Sequence, residues 1–297
     1  MYHCSVLLKD SVDLLDIDPN GTYVDVTFGG GGHSREILSR LSSRGRLVAF
    51  DQDADAMANA PSDRRFTLIH NNFKYVHSCL RAAGFDSVDG VLGDLGVSSH
   101  HFDTPERGFS FRFQGQKLDM RMNQSAKKSA ENVVNEYSIE LLAHIFGAYG
   151  ELDNPFRIAK AIEAARPIAD IDALLAALDG VTQRGGESKF RAKLFQALRL
   201  EVNGEMQALE MMLRGAQTAL KPGGVLSVIS YHSLEDRMVK NFMRSGNFDG
   251  KVETDFYGRS LAPFTLVTRK AVEPTAQEVE QNQRARSAKL RAARKNG

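Results

Sequence analysis

The sequence predicts an α/β fold on a mostly parallel, Rossmann-like sheet, interrupted by a long all-helical insertion. Three observations predict it. Short apolar strand patterns alternate with helical ones from the start of the chain to Asp94, the signature of βαβ units. The first strand pattern runs straight into four glycines at 29–32. About 130 residues then separate the strand patterns that meet Asp94 and Val225, whereas a parallel crossover needs only about a dozen.

The elements follow in order. Residues 22–28 are β-branched and aromatic and form the first strand pattern. A helix is expected over 34–41, stopped by Ser42-Ser43-Arg44-Gly45. Residues 46–50 form a second buried strand ending at Asp51, 66–70 a third, and 88–93 a fourth ending at Asp94. The next stretch is helical at 130–148, 155–165, 171–178 and 189–220. In the last of these Leu194, Leu198, Val202 and Leu209 recur at helical spacing. Lys221-Pro222-Gly223-Gly224 stops that helix, 225–230 is a fully apolar strand, and 264–268 is a last strand at the sheet edge. The expected division is a core in two parts, 1–102 and 214–297, around a substrate-recognition insertion at 103–213. The second part ends in a tail, 284–295, with six basic residues and no acidic one.

Bulk composition narrows the function classes. The hydrophobic fraction is 42% and the charged fraction 25%, ordinary for a soluble globular protein. The net charge is +1, so any nucleic-acid binding must come from local clustering of charge. Two cysteines, Cys4 and Cys79, make no disulfide framework and fit a reducing cytoplasm. Neither belongs to a ligand cluster, so no metal site is expected. The start of the chain does not read as a signal peptide, and no run approaches the roughly 18 apolar residues of a membrane span.

The candidate chemistry lies at the strand ends. Glycines after the first strand let the backbone turn tightly and approach a ligand, with the N–H groups of the next helix facing it. Asp51, about twenty residues on, can accept both hydroxyls of a ribose. Together they indicate a nucleoside-containing cofactor. The dinucleotide pattern G-x-G-x-x-G breaks, because Ser34 takes its third glycine position. The acid-and-spaced-glycine pattern of S-adenosylmethionine enzymes, D-x-G-x-G-x-G, matches Asp25, Gly29 and Gly31 and departs only at Thr27. Methyl transfer is therefore favoured over hydride transfer. Asp94, in Asp94-Leu95-Gly96-Val97-Ser98-Ser99, is placed to accept a hydrogen bond from a reacting amine, or alternatively to hold the methionine end of the cofactor. No Pro-Pro-aromatic run follows it. A stacking surface for a base must come from elsewhere, with Phe109, Phe111 and Phe113 or Tyr231-His232 as the candidates, although core packing accounts better for any single one of these rings.

Seven blocks, in order, carry a family resemblance. They are Thr27-Phe28-Gly29-Gly30-Gly31-Gly32-His33-Ser34, the Asp94 motif, Arg107-Gly108-Phe109-Ser110-Phe111, Leu118-Asp119-Met120-Arg121-Met122, Phe195-Gln196-Ala197-Leu198-Arg199, His232-Ser233-Leu234-Glu235-Asp236-Arg237 and Arg284-Ala285-Arg286-Ser287. In these the chain resembles the bacterial small-subunit (16S) rRNA cytosine-N(4)-methyltransferase family, called RsmH or MraW. The resemblance implies a class I S-adenosylmethionine-dependent methyltransferase core acting on a decoding-centre cytidine of the P site, in the cytoplasm, with 16S rRNA as partner and neither metal nor membrane involved. It implies cofactor contacts at Gly31, Gly32, His33, Asp51, Phe73 and Asp94. A further cofactor contact is expected at His101, which stands where the family usually has Gln and offers one donor or acceptor per ring nitrogen rather than an amide pair. Substrate contacts are expected at Ser98, Ser99, Phe109, Tyr231, His232, Arg284 and Arg286. The tail reads Asn282-Gln283-Arg284 where the family commonly has a proline after Asn. Two other readings stay open: a methyltransferase acting on protein or a small molecule, and an RNA-binding protein with a degenerate nucleotide fold and no catalysis.

Overall fold

The computed structural model describes residues 5–97, 102–113, 115–181 and 186–297. Cα packing divides the chain into two compact units, one made of the chain up to Gly96 together with Gln207–Gly297, the other of Val97–Met206.

The first unit is built on a seven-stranded sheet: β1 (Thr22–Asp25), β2 (Arg46–Asp51), β3 (Phe66–His70), β4 (Val88–Asp94), β5 (Leu220–Ser230), β6 (Phe264–Leu266) and β7 (Lys289–Lys295). The spatial order is β3-β2-β1-β4-β5-β7-β6. The first five are parallel, and β7 runs antiparallel to both β5 and β6. The order reverses between β1 and β4, so their carboxyl ends, Asp25 and Asp94, flank the crevice where an open α/β sheet binds ligands.

Side-chain alternation explains why the strands read as continuous apolar runs: both faces are covered. Tyr23, Leu47, Leu92 and Val225 pack with Val12 and Leu15 and with Ile37 and Leu38, on helices α1 (Leu8–Asp13) and α2 (Gly32–Arg40) and the turn after α1. Their neighbours Val24, Val48, Phe50, Val91, Leu226 and Val228 face the other way. There they meet α3 (Val76–Ala82), and two further helices that follow the insertion and β5. The α2 helix starts two residues earlier than the periodicity suggests, because the glycine turn itself leads into the first helical turn.

The second unit is helical: α4 (Ala130–Glu136), α5 (Ile139–Ala148), α6 (Pro155–Ala164), α7 (Ile171–Ala177) and α8 (Glu187–Asn203). The stretch expected as one helix over 130–148 is two, because the Ser138 side chain accepts the Leu141 N–H and caps α5. The run expected over 189–220 also breaks, at Gly204 with φ +59°. A new helix, α9 (Glu205–Ala219), begins there. Leu209, Met212, Leu213 and Ala216 of α9 join the core of the first unit. That is why packing divides the chain at 206/207, earlier than the 213 read from the sequence; the other division falls at 96/97 rather than after 102.

The largest correction concerns the basic run at 284–295. Most of it is not a tail but part of the sheet. Residues Lys289–Lys295 are β7, inserted between β5 and β6, with Leu290, Ala292 and Ala293 fully buried. Arg291 makes a two-pronged ion pair with Asp236 at 2.7 and 3.0 Å. Arg294 reaches Asp16 at 3.1 Å, and Lys295 donates to the Leu220 carbonyl. Asp236 lies on α10 (Ser233–Ser245), the helix after β5. Among the described residues no helix is long and apolar enough to cross a membrane.

Candidate active site

The turn after β1 is organised by a carboxylate that solvent does not reach. Asp25 is fully buried. One of its oxygens accepts the Thr27 N–H at 3.0 Å, and the other accepts the Ser34 hydroxyl at 2.7 Å. Thr27, the residue that departs from the spaced-glycine pattern, has a use of its own: its hydroxyl accepts the Asp94 N–H at 2.6 Å and ties the end of β1 to the end of β4. Gly29 and Gly31 have φ of +50° and +75°, conformations that a side chain strains. A Cβ added at Gly29 would enter open space, and one added at Gly32 would lie 2.0 Å from the Ser5 hydroxyl. The turn thus keeps an open flank on one side and is packed against the N-terminal segment on the other.

Asp51 stands beside this turn at the end of β2. Its Oδ2 accepts the Gly29 N–H at 2.8 Å and its Oδ1 the Asp53 N–H at 2.9 Å. Backbone N–H groups on both oxygens therefore orient the carboxylate at the mouth of the turn. The ends of β2 and β3 are joined by Asn72, which donates to Gln52 at 2.6 Å. The Asn72 side chain also caps the short turn Phe73–Tyr75, leaving Phe73 half-buried against the sheet core. The sequence reading missed Gln52 and Asn72. Their adjacency to Asp51 and Phe73 was the available signal.

Asp94 is the most constrained group at this edge. Its side chain keeps 22% exposure. Tyr231 donates its hydroxyl to Asp94 Oδ1 at 2.7 Å, and His33 Nδ1 lies 3.8 Å from Oδ2. Burial raises the Asp94 pKa above the usual carboxylate value; His33 and the Tyr231 hydrogen bond pull it down, and the charges of Asp25 and Glu235 push it up. Burial and the adjacent Asp94 raise Tyr231 well above the usual phenol value. His33 is itself buried, and its Nε2 faces the Val6 carbonyl at 3.2 Å. That carbonyl can only accept, so Nε2 carries a proton.

The aromatic candidates for stacking fall in different settings. The Tyr231 hydroxyl is committed to Asp94. His232 caps α10 through Nδ1, and its Nε2 lies 3.1 Å from Glu235. Glu235 in turn accepts the Tyr231 N–H at 3.0 Å. These residues brace the strand end that carries Asp94. Phe109 is buried in the core of the second unit, and Phe111 packs edge-on against Phe195 there. Arg284 and Arg286 lie in the short turn Gln283–Ser287 that leads into β7. Lys289 pairs with Ser230, which sets this turn just beyond the carboxyl end of β5, with Arg286 exposed. Ser98, Ser99 and His101 lie outside the described residues.

The chain is similar over nearly its whole length to known proteins. The model of the MraW methylase family matches residues 1–296. Ribosomal RNA small subunit methyltransferase H of Bacteroides thetaiotaomicron is 57% identical, over 99% of this chain and 97% of that protein. The protein of the same name from Parabacteroides distasonis is 54% identical, with the same coverage. That from Flavobacterium johnsoniae is 52% identical, over 99% of this chain and 98% of its own length. Among solved structures, an rRNA methylase from Streptococcus thermophilus is similar at a TM-score of 0.42 and 13% identity, over 99% of this chain and 98% of that one.

Proposed function

Because the chain belongs to the MraW methylase family, we propose that it methylates the exocyclic 4-amino group of a decoding-centre cytidine in 16S rRNA. The methyl donor is S-adenosylmethionine, which supplies an electrophilic methyl group on a sulfonium sulfur. Asp51 binds the ribose of this cofactor. Gly31 and Gly32, with His33 behind them, shape the turn beside it, and Phe73 offers a ring to its base. The open flank at Gly29 and the backbone-anchored Asp51 carboxylate support this fit.

The observation that carries the reading is the setting of Asp94. The amine of cytosine is a weak nucleophile, because its lone pair is delocalised into the ring. A carboxylate that accepts the amine N–H localises that lone pair and orients it. Tyr231 and the Thr27 hydroxyl hold Asp94 in one place, and a preorganised acceptor is worth more than a mobile one. Its raised pKa also makes it a better proton acceptor than an exposed aspartate once the amine gains its methyl group. Arg286, exposed beyond β5, is a phosphate contact. The helical unit Val97–Met206 recognises the RNA around the target. This reading places the protein in the cytoplasm with the small ribosomal subunit.

The test is mass spectrometry of small-subunit rRNA from cells lacking the protein, with methylation by purified protein in vitro. Loss of one N4-methylcytidine and its restoration by the protein are expected. Unaltered rRNA, with methyl transfer to a protein or small molecule instead, would overturn the substrate assignment. S-adenosylmethionine binding without any transfer would favour an RNA-binding role.

A further inference from the structure

A groove of about 280 Å³ lies between α10 and the sheet margin formed by the edge strand β6 and its neighbour β7, and its lining has no acidic residue. Lys240 and Arg244 stand on one wall and Arg269 on the other, over a floor that includes Met243 and Leu266. Met243 is buried, whereas Leu266 is 37% exposed. The outward stripe of α10 is Ser233, Arg237, Lys240 and Arg244, so three of its four positions are basic.

Charge accounting singles this groove out. Arg291 also lines it, but its charge is matched by Asp236. Lys240, Arg244 and Arg269 take part in no ion pair among the described residues. In a chain of net charge +1, three unmatched cations around one concave surface are a local excess. Basic residues spaced by three or four along a helix lie about 5–6 Å apart. That serial arrangement suits a polyanion, which presents charges one after another, better than a single small anion. The partly exposed Leu266 beside them suits a sugar edge as well as the phosphates.

We propose that this groove binds the sugar-phosphate backbone of the RNA substrate as a second contact, separate from the strand ends where the methyl group is transferred. The proposal rests on the reading that the substrate is RNA. The groove contributes affinity and register and takes no part in the chemical step.

The experiment compares wild type with the triple variant Lys240→Gln, Arg244→Gln, Arg269→Gln. A control variant, Arg64→Gln with Arg81→Gln, removes exposed charge elsewhere on the same unit. Binding to a small-subunit rRNA fragment and to intact small subunits is measured across salt concentrations. Each lost phosphate contact flattens the slope of log K against log salt by roughly 0.7–0.9. The triple variant is expected to lose about two units of slope and on the order of tenfold or more in RNA affinity. S-adenosylmethionine affinity, thermal unfolding and the rate at saturating RNA should match wild type. An unchanged slope, or an equal loss in the control variant, overturns the proposal. A loss on intact subunits with none on naked rRNA also overturns it, since the groove would then take a ribosomal protein. Groove-dependent RNA binding by a wild type that methylates no cytidine would instead sink the substrate assignment and leave this contact standing.

Discussion

Two stretches of this chain look dense with function, the glycine turn at 29–32 and the basic run at 284–295, and the fold uses them in opposite ways. At the glycine turn the backbone is spent locally, and the turn is left with an open flank beside Asp51. In the basic run the backbone becomes a sheet strand, and the charges of Arg291 and Arg294 are taken up by Asp236 and Asp16. A run of like residues therefore reports function only when its side chains are not already matched. By that criterion Lys240, Arg244 and Arg269, on α10 and after β6, stand unmatched, whereas Arg291 and Arg294 of the run that the sequence advertises do not.

The largest effect should come from removing Lys289–Gly297. A disordered tail would be dispensable. A strand between β5 and β6 is not, because β5 loses a partner and β6 loses the strand it pairs with. The truncated chain is expected to lose cooperative unfolding by circular dichroism and with it S-adenosylmethionine binding. A soluble, cofactor-binding truncation would break the comparison at its root.

Next in size is Asp94→Asn, which keeps shape and loses charge. The single-turnover methylation rate at saturating S-adenosylmethionine should fall on the order of a hundredfold. Recovery to within about threefold of wild type at saturating cofactor would assign Asp94 to cofactor binding alone. The pKa shift adds a signature in stability. The folded-state pKa is raised, so the ionised carboxylate weakens the fold at neutral pH, and stability rises as pH falls through the folded pKa toward the unfolded value. The variant should therefore be at least as stable as wild type at neutral pH, with the difference shrinking in acid. The wild-type rate should decline with acid above the pH expected of an exposed carboxylate. Denaturant titrations and a pH–rate profile read both.

Asp51→Ala tests the other side of the crevice. Hydrogen bonds to a charged acceptor contribute about 1.5–3 kcal/mol. Cofactor affinity measured by calorimetry should drop by about tenfold or more, with the rate at saturating cofactor largely kept. Unchanged affinity would remove the ribose assignment. The variant also frees two backbone N–H groups of the turn, so a modest loss in thermal stability should accompany it.

The smallest effects separate two arginines of the basic run. Arg291→Gln breaks a partly buried, two-pronged pair and should destabilise the protein by about 1.5–3 kcal/mol. Arg286→Gln, exposed in the turn before β7, should change stability by less than about 0.5 kcal/mol while weakening RNA binding measurably. If the two variants behave alike in both assays, matched and unmatched charge are not distinguishable here.

Much of the parallel half of the sheet was legible in the sequence. Each strand carries its own turn signals, and β3 spans the same 66–70 read from pattern alone. The glycines and Asp51 were legible too, because a tight backbone turn and a strand-end acid act within one βα unit. What local pattern could not decide was pairing across the chain. Nothing near Thr27 announces that its hydroxyl holds the Asp94 N–H, 67 residues away. Nothing near Tyr231 announces that its hydroxyl belongs to Asp94 rather than to a base. The basic run misled for the same reason. Its alternation of Leu290, Ala292 and basic residues is a weak strand signal by itself, and only the open edge of β5, together with Asp236 waiting on α10, makes it a strand. Local sequence determined which segments turn, coil or extend, since those choices depend on neighbouring residues. The tertiary structure decided which polar groups face solvent and which are spent on each other, because that depends on what the fold brings within hydrogen-bonding distance.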